Sequence, residues 1–368
     1  MVDRVRDARP RIRVPPQVSA RPAWTGPSRE GAGVSTLVVM AHYDADQVLR
    51  AHTRRTIQTF AEGADRVMVV STSGIDEESH AQLPANVDFV TRPNFGYDFY
   101  SYKWGLDLVP DFPEYDHVVV SNDSFIGPSV PLDDIVEGPQ AARFDFMGMT
   151  WSLSHGAHAQ SFFFVVSREL ARSRGFRSFW KDMAPVSDRM KVIQAYEIGL
   201  SRAVREAGFR SGAFFEPTDE EFDLSRRRFR HHADVRLHIK HTDKFLSELT
   251  DWSGDQTLYF NPACAMADRF LLDDRLPLLK FDTLRYDPYE LDADRLLREA
   301  EAAKPALLDG VRDFLLATKD RYPFRVGENN VVVSPRSLRR SGLGYCLDPA
   351  FLAAQRDDAV LGTEGDLR

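Results

Sequence analysis

Polar residues follow each of four apolar runs in the first 125 residues, at the point where each run ends. In an open parallel sheet, ligands bind beyond the carboxyl ends of the strands. Because these ends meet at one edge, the sequence predicts a shared site there, although turns are polar in any protein. The residues of this edge are His42, Tyr43 and Asp44 after the first run, Ser71 after the second, Asn94, Gly96 and Asp98 after the third, and Asn122, Asp123 and Ser124 after the fourth.

The triplet Asn122-Asp123-Ser124 directly follows the run HVVVS. A carboxylate at a strand end can hold a divalent cation that bridges a diphosphate and neutralises it. Asp123 is therefore the candidate ligand of a Mg²⁺ or Mn²⁺ ion. An Asx turn or cap made by Asn122 and Asp123 is the structural alternative.

A glycine-containing loop precedes the stretch YDFYSYKWGLDLV, which predicts a helix. Gly96 permits close approach of a ligand to the backbone, and Asp98 can cap the helix. The free N–H groups of such a helix end, with Lys103 one turn further on, can receive a phosphate. An ordinary capped helix explains the same residues without a ligand.

A helix predicted over about 187–207 carries the best candidate for a general base. Ile193, Glu197, Leu200 and Val204 have the spacing of one helix face, so Glu197 lies in an apolar stripe. A carboxylate there is either paired in the core or lines a cavity, where desolvation raises its pKa toward that of a useful base.

The order strand, helix, strand, strand, helix, strand predicts an α/β domain with a mainly parallel sheet. His158 lies just ahead of one further apolar run and is the second candidate base. Strands are predicted at 37–40, 65–73, 87–94, 116–122, 144–150, 160–167 and 209–215. Helices are predicted at about 46–61, 97–109, 168–182 and 187–207, with mostly helical structure after 240 and a break near Pro305.

Changes in composition divide the chain into four parts. Residues 1–33 contain seven arginines with scattered Pro and Gly, which predicts a disordered arm that is either a tether to an anionic surface or a solvated tail. We expect the catalytic domain at 34–240, a helical C-terminal extension packed beside it at 241–322, and an irregular tail at 323–368.

Composition and absent motifs exclude several classes of protein. The 368 residues include 47 Lys and Arg against 55 Asp and Glu, a net charge of −8, so a basic nucleic-acid binder is not expected. The two cysteines, Cys264 and Cys346, favour neither a disulfide framework nor a zinc site, which suits a reducing cytosol. No GxGxxG follows the first run and no GxxxxGK[ST] or GxSxG occurs, so dinucleotide, P-loop and serine-hydrolase chemistry lack support.

Five blocks of sequence occur in an order that resembles the rhamnan synthesis protein F family, over roughly residues 35–292. They are VVMAHYDAD, RPNFGYDFYSYKWGL, VVVSNDSFIGP, HAQSFFFVVSREL and VIQAYEIGLSRAVREAGFRSGAFF. The later stretch NPACAMADRFLLDDRLPLLKFDTLRYDPYELD resembles the C-terminal part of that family. The resemblance implies an α/β, GT-A-like (Rossmann-like) αβα sandwich with a mostly parallel sheet. It also implies a nucleoside-diphosphate sugar donor, with dTDP-rhamnose suggested by the family name, and a glycan acceptor of bacterial surface polysaccharide synthesis.

The resemblance also assigns roles to residues of these blocks. It implies donor contacts at the strand ends, with Asn122, Asp123 and Ser124 at the place of the GT-A Asp-x-Asp, and acceptor-side residues in two later blocks. The implied donor contacts are His42, Tyr43, Asp44, Asn94, Gly96, Tyr97 and Asp98, and the acceptor-side residues are His158, Gln160, Ser161, Tyr196 and Glu197.

Together, residues and resemblance predict a cytoplasmic glycosyltransferase that transfers a sugar to a free or lipid-linked glycan. Contact with the cytoplasmic face of the inner membrane is a further expectation. Glu197 would deprotonate the acceptor, while Asp123 and the 94–103 loop would balance the charge of the leaving diphosphate, and a single in-line attack would invert the anomeric carbon. A non-catalytic protein that binds nucleotide sugars or glycans is the alternative, and a sugar nucleotidyltransferase is the third.

Overall fold

The computed structural model describes residues 34–153, 156–238, 261–272, 274–287, 289, 291–321 and 332–333. The predicted arm at 1–33 lies outside the described residues. So do residues 241–260 of the predicted extension and all of the predicted tail except 332–333. The four-part division of the chain stays a prediction.

A seven-stranded sheet forms the centre of the molecule, with the spatial order β10-β6-β9-β4-β1-β2-β3. All neighbouring strands are parallel except at β9, which runs antiparallel to both β4 and β6. The predicted class, α/β with a mostly parallel sheet, is confirmed. The strands of this sheet are β1 (Thr36–His42), β2 (Arg66–Ser71), β3 (Val87–Thr91), β4 (His117–Ser121), β6 (Phe146–Gly148), β9 (Phe163–Ser167) and β10 (Ser211–Ala213).

Short strands make three further pairs beside this sheet: β5 with β12, β7 with β8, and β11 with β13. None of the described helices combines the length and apolar character that a membrane span needs. The short strands are β5 (Phe125–Ile126), β7 (Trp151–Ser152), β8 (His158–Ala159), β11 (Leu237–His238), β12 (Leu279–Lys280) and β13 (Val332–Val333).

The α-helices up to residue 238 are α1 (Ala51–Gly63), α2 (Glu77–Ala81), α3 (Tyr97–Leu108), α4 (Leu132–Val136), α5 (Pro139–Arg143), α6 (Arg168–Arg172), α7 (Arg174–Asp182), α8 (Arg189–Val192), α9 (Ile198–Glu206) and α10 (Asp219–Arg236). Those from residue 261 onward are α11 (Pro262–Ala265), α12 (Arg269–Leu272), α13 (Phe281–Tyr286), α14 (Ala293–Ala303), α15 (Pro305–Leu308) and α16 (Val311–Ala317). Short 3-10 turns lie at Phe112–Glu114 and Lys319–Arg321, and a π-helical turn joins α8 to α9.

The central strands are apolar on both faces because helices cover both sides of the sheet. Alternate side chains of β1 point to opposite faces. Val38 and Met40 pack in one apolar cluster with α1, whereas Leu37 and Val39 pack in another with α3. Helix α3 lies close to the sheet at Gly105, where a Cβ atom would come within 2.4 Å of Val39 Cγ1.

Several predicted helix boundaries are wrong. The first helix begins at Ala51 instead of about 46, and the stretch 168–182 forms two helices that meet at Ser173. Ser173 ends α6 and caps α7, since its hydroxyl accepts a hydrogen bond from the Phe176 N–H. The 18-residue helix α10 was not predicted. The predicted break at Pro305 is confirmed, since α14 ends at Ala303 and α15 begins at Pro305.

The elements beyond residue 261 pack beside the end of β4. Strand β12 pairs antiparallel with β5, which follows β4 after only three residues. A third apolar cluster joins Ile126 of β5 to the C-terminal helices, through Phe270, Leu284 and Leu297 among others. This packing brings residues far apart in sequence to the same edge of the sheet.

Candidate functional site

A cleft of about 390 Å³ opens at the carboxyl ends of the central strands. This volume is within the range of small-molecule sites. Helix α3, the π-helical turn and the elements after residue 261 form its other walls. The predicted site residues that line it are His42, Tyr43, Asp44, Tyr97, Asp98, Asn122, Asp123, Ser124, His158, Gln160, Ser161 and Glu197.

The triplet Asn122-Asp123-Ser124 is tied to the start of α3 through the Asn122 side chain. Asn122 Nδ2 donates to Asp98 Oδ2 at 2.8 Å, and its Oδ1 accepts from the Ser124 amide at 3.0 Å and hydroxyl at 2.7 Å. The Asx turn considered for this triplet is therefore present. It is compatible with a site, because it holds the strand end against the helix that carries Asp98.

Asp123 lies in the cleft beside the first strand. Its Oδ2 accepts a hydrogen bond from the Tyr43 backbone N–H at 2.8 Å. Desolvation raises the pKa of Asp123 to about 7, and the negative charges of Asp98 and Asp44 add to the effect, while the Tyr43 N–H opposes it. Asp123 is therefore partly protonated near neutral pH.

Asp98 is exposed within the cleft, whose walls reduce its access to bulk water. The resulting loss of hydration raises the pKa of the Asp98 carboxyl, although the hydrogen bond from Asn122 and the charges of Lys280 and Arg92 oppose the rise. Asp98 and Asp123 thus share a region where full ionisation of both carboxyls is disfavoured.

The wall from β1 is fixed by bonds within the protein. Asp44 accepts hydrogen bonds from Arg50 Nε at 2.6 Å and Nη2 at 3.2 Å, so its carboxylate already has a cationic partner. His42 Nδ1 lies 2.9 Å from the Ser71 hydroxyl, and burial lowers the pKa of His42 to about 4. His42 is therefore neutral at pH 7, and Ser71 supports it from outside the cleft.

Sequence reasoning missed Arg92, which organises the loop before α3. Its buried guanidinium donates to the backbone oxygens of Phe95 at 2.6 Å and Tyr97 at 2.9 Å, and to Ser101 Oγ at 2.9 Å. Desolvation lowers the pKa of Arg92 to about 10, so it stays charged at neutral pH. An arginine directly after a strand is usually solvated, so there was little reason in the sequence to expect its burial. The glycine at position 96 was a signal of a tight loop, and in the structure it adopts a left-handed backbone conformation (φ 78°).

Several predicted donor and acceptor residues lie outside the cleft lining. Lys103 forms an ion pair with Asp107 at 2.9 Å along α3 and does not line the cleft, so its phosphate role stays a prediction. Asn94 is exposed beside the cleft, and Gly96 is buried under Tyr100 and Pro185. The Tyr196 hydroxyl donates to the Ala184 carbonyl, and its ring packs against Phe99 and Phe179, so Tyr196 supports the wall instead of lining it.

Glu197 closes a π-helical turn, Ile193–Glu197, between α8 and α9. Of the two predicted alternatives, a paired core carboxylate or one that lines a cavity, the structure has the second. Burial of Glu197 is only partial, because the extra residue of a π turn breaks the 3.6-residue period. Glu197 is half-buried and lines the cleft, with its Oε1 accepting from the Ser161 N–H at 2.7 Å. Within the part of the chain that the structure describes, it has no ion pair, which argues against a structural salt bridge.

His158 is buried in the same wall, on β8. Its Nδ1 lies 2.6 Å from the Gly156 carbonyl oxygen, which can only accept, so Nδ1 carries the proton. In the neutral ring Nε2 is then the unprotonated nitrogen. Gln160 Oε1 accepts from Thr150 Oγ1 at 2.7 Å, and the Ser161 carbonyl accepts from the Tyr102 hydroxyl at 2.9 Å.

The wall beyond residue 261 was not predicted as part of the site. The signals that could have found it were the resemblance of residues 261–292 to the C-terminal part of the family and a single lysine in the otherwise apolar run LPLLKF. The residues of this wall that line the cleft are Asn261, Lys280, Phe281, Asp282, Arg285 and Phe314.

A divalent ion at Asp123 stays a prediction. The described residues include no group of three His, Cys, Asp or Glu side chains that could hold a metal by themselves. An ion at Asp123 would therefore take most of its ligands from a bound diphosphate and water, a mode that Mg²⁺ uses in phosphate sites.

Comparisons with known proteins support the predicted resemblance. The model of the family "Rhamnan synthesis protein F" matches residues 67–246. An uncharacterized protein, y4gN, of Sinorhizobium fredii is 25% identical over 159 residues, which are 42% of each chain. The virulence protein VirA of Vibrio anguillarum is 31% identical over 149 residues, 39% of this chain and 47% of that protein. This chain thus spans less than half the length of these two relatives.

Solved structures include a partial likeness at low sequence identity. The galactosyltransferase LgtC in complex with donor and acceptor sugar analogs is 12% identical, with coverage of 73% of this chain and 96% of that one, at a TM-score of 0.35.

The resemblance to the rhamnan synthesis protein F family is confirmed for residues 67–246, just under half of the chain.

Proposed function

We propose that this protein is a glycosyltransferase that moves a sugar from a nucleoside diphosphate to a hydroxyl of a cell-surface glycan. The observation that carries the proposal is that one cleft contains both residues suited to hold a diphosphate and residues suited to deprotonate an acceptor. Strand-end carboxyls and the start of α3 lie in the same cleft as two candidate bases, Glu197 and His158. The match to the rhamnan synthesis family over residues 67–246 supports the same class of reaction.

The donor side would be the end of β4 and the first turn of α3. Negative charge develops on the diphosphate as it leaves, and positive groups or helix N–H donors can stabilise it. A Mg²⁺ or Mn²⁺ ion held by Asp123 and the diphosphate would supply further charge neutralisation. The donor that the family name suggests is dTDP-rhamnose.

Glu197 would act as the base on the acceptor side. Its Oε1 is occupied by the Ser161 N–H, while Oε2 accepts no hydrogen bond from the described residues and is available for the acceptor hydroxyl. Glu197 would take the hydroxyl proton as the new bond to the anomeric carbon forms and the bond to the diphosphate oxygen breaks. One in-line displacement of this kind inverts the anomeric centre, and the acceptor would be a free or lipid-linked glycan on the cytoplasmic side of the inner membrane.

A non-catalytic protein that binds nucleotide sugars is the second candidate. Asn122 stands where a full Asp-x-Asp would have its first carboxylate, and its side-chain amide is committed to Asp98. Such a protein would bind the donor through the same cleft and release nothing.

Nucleoside-diphosphate release from a panel of donors tests the proposal. The panel includes dTDP-rhamnose, with and without Mg²⁺ or Mn²⁺ and with rhamnose-containing oligosaccharides as acceptors. An enzyme releases the nucleoside diphosphate in an acceptor-dependent manner. A binding protein shows only a higher Tm with the donor, and a nucleotidyltransferase releases pyrophosphate from a nucleoside triphosphate and a sugar phosphate.

A further inference from the structure

Lys280 is held beside the Asn122-Asp123-Ser124 triplet by backbone pairing. Strand β12 pairs antiparallel with β5, and Lys280 lies opposite Phe125 in the register. The next residue, Phe281, donates its N–H to the Ser124 carbonyl at 3.1 Å. These bonds fix the backbone of Lys280 at the end of β4, and its side chain lines the cleft.

The ammonium of Lys280 has an aromatic neighbour and no anionic one at bonding distance. Its Nζ lies 4.4 Å from the centre of the Phe162 ring. It makes no hydrogen bond or ion pair with any residue that the structure describes. A lysine ammonium carries three N–H donors, and a half-buried one without acceptors is costly. Its donors are therefore available to a ligand in the cleft.

The other cations that line the cleft, Arg50, Arg189 and Arg285, all have partners within the protein. Arg50 is paired with Asp44 at 2.6 Å. Arg285 donates to Thr318 Oγ1 at 2.9 Å and lies over the Phe314 ring. In contrast to them, Lys280 is positioned without an acceptor, as expected of a group whose partner is a substrate.

The charge of Lys280 acts on the Asp98 carboxyl, but Asp98 is an incomplete counter-charge. Loss of hydration raises the pKa of Asp98, and the charge of Lys280 only opposes this rise. No ion pair joins the two side chains. An additional anion in the cleft would complete the neutralisation of Lys280.

We propose that Lys280 binds the diphosphate of the donor and stabilises it as the leaving group. This inference rests on the proposed glycosyltransferase function and adds a residue that lies outside the family match at 67–246. A lysine ammonium is a compact charge that suits phosphate oxygens. Because negative charge on the diphosphate grows as its bond to the sugar breaks, the attraction strengthens in the transition state.

Binding of nucleoside diphosphates and nucleosides to the full chain separates this role from a structural one. Titration calorimetry with UDP, GDP, dTDP and ADP identifies a diphosphate that the wild type binds, and the matching nucleoside serves as the uncharged probe. Lys280→Met, which keeps an unbranched apolar stem, should raise the Kd of the diphosphate about tenfold or more and leave that of the nucleoside unchanged. Lys304→Met is the matched control, because Lys304 is paired with Asp274 at 2.7 Å and does not line the cleft, and it should bind as the wild type does.

A charge-conserving substitution and the salt dependence of binding provide the second part of the experiment. Lys280→Arg keeps the charge and should bind the diphosphate within about threefold of the wild type, while a loss as large as in Lys280→Met would contradict a role for the charge. The wild-type affinity should fall more steeply with added NaCl than that of Lys280→Met. If Lys280→Met does not fold, Lys280→Gln replaces it in the same comparison.

The outcomes distinguish this inference from the proposed function. If a folded Lys280→Met protein binds the diphosphate as tightly as the wild type, the role of Lys280 is overturned while the nucleotide site stands. If the wild type binds none of the four diphosphates, the proposed function fails and the inference fails with it.

Discussion

At the scale of single residues, the cleft holds carboxyls whose surroundings differ. Asp123 has a strongly raised pKa, and its Oδ2 accepts a backbone N–H. Glu197 is half-buried and has one oxygen free of protein hydrogen bonds among the described residues. Pairs of carboxyls in unlike environments are a common basis for dividing acid, base and electrostatic roles. The division proposed here gives Asp123 to the diphosphate and Glu197 to the acceptor.

The first prediction concerns Glu197→Gln. Gln keeps an oxygen that can accept the Ser161 N–H, so we expect an unchanged Tm and unchanged donor affinity. Turnover should fall about 10²–10⁴-fold, because the base is lost. Calorimetric donor binding and nucleoside-diphosphate release measure the two effects separately.

Glu206→Gln is the matched control for this change, because Glu206 is an exposed residue at the end of α9 and does not line the cleft. It should retain wild-type turnover. Wild-type turnover in a folded Glu197→Gln protein would remove Glu197 from the mechanism. The search for the base would then move to Nε2 of His158.

The second prediction concerns Asp123 and pH. The pKa of Asp123 is about 7 in the folded protein against 3.8 ordinarily, so the folded state binds this proton more tightly than the unfolded state. The contribution of Asp123 to the free energy of unfolding is therefore greatest below about pH 4 and is lost as the pH rises through 7. Asp123→Asn removes this dependence, so the variant should gain stability relative to the wild type between pH 5 and pH 8.

Urea denaturation at the two pH values measures this difference. Sugar transfer by the same variant should fall at least about tenfold, since the carboxylate that faces the diphosphate is lost. A stability difference that is the same at pH 5 and pH 8 would show that Asp123 does not titrate in this range. Near-normal transfer would exclude Asp123 from donor chemistry.

At the scale of elements, close packing of α3 on the sheet sets the position of Asp98, which lies in the first turn of this helix. The third prediction is that Gly105→Ala destabilises the protein by about 1–3 kcal/mol, the usual cost of overpacking a core. The added Cβ would come within 2.4 Å of Val39 Cγ1 and 3.2 Å of Val70 Cγ2. Urea denaturation gives the change in the free energy of unfolding.

Gly175→Ala in α7 is the matched control. Its added Cβ would lie 4.0 Å from Ala207 Cβ, an ordinary contact, and alanine is the better helix former. We expect this variant to be neutral or more stable by up to about 1 kcal/mol. Equal effects of the two changes would show that α3 can move away from the sheet without cost.

The strands could be predicted from the sequence because they are apolar runs buried on both faces. Their polar ends could be predicted to meet because parallel strands end at one edge. The partial exposure of Glu197 could not be predicted in the same way. The prediction of an apolar helix face depended on the 3.6-residue period, which the π-helical turn breaks. Arg92 was missed because the backbone oxygens that hold it are a property of the folded loop.

At the scale of the whole molecule, the site joins parts of the chain that are more than 150 residues apart. Lys280 lies beside Ser124 because β12 pairs with β5, and no local pattern in the sequence encodes that pairing. The apolar cluster that joins Ile126 to Phe270, Leu284 and Leu297 makes the same connection through side chains. The sequence predicted helices after residue 240 and did not predict their contribution to the cleft.

The last prediction compares two deletions. Removal of residues 261–368 would leave the β5 edge unpaired and expose the apolar surface that the C-terminal helices cover, including Ile126, which is fully buried in the intact protein. We expect a large loss of Tm or aggregation, and loss of nucleoside-diphosphate binding. Removal of residues 1–33, which have no apolar period, should leave the Tm within error. Thermal melts and calorimetry on both proteins measure these effects. A 261–368 deletion that melts like the wild type would mean that the sheet and its strand-end site fold without the C-terminal wall.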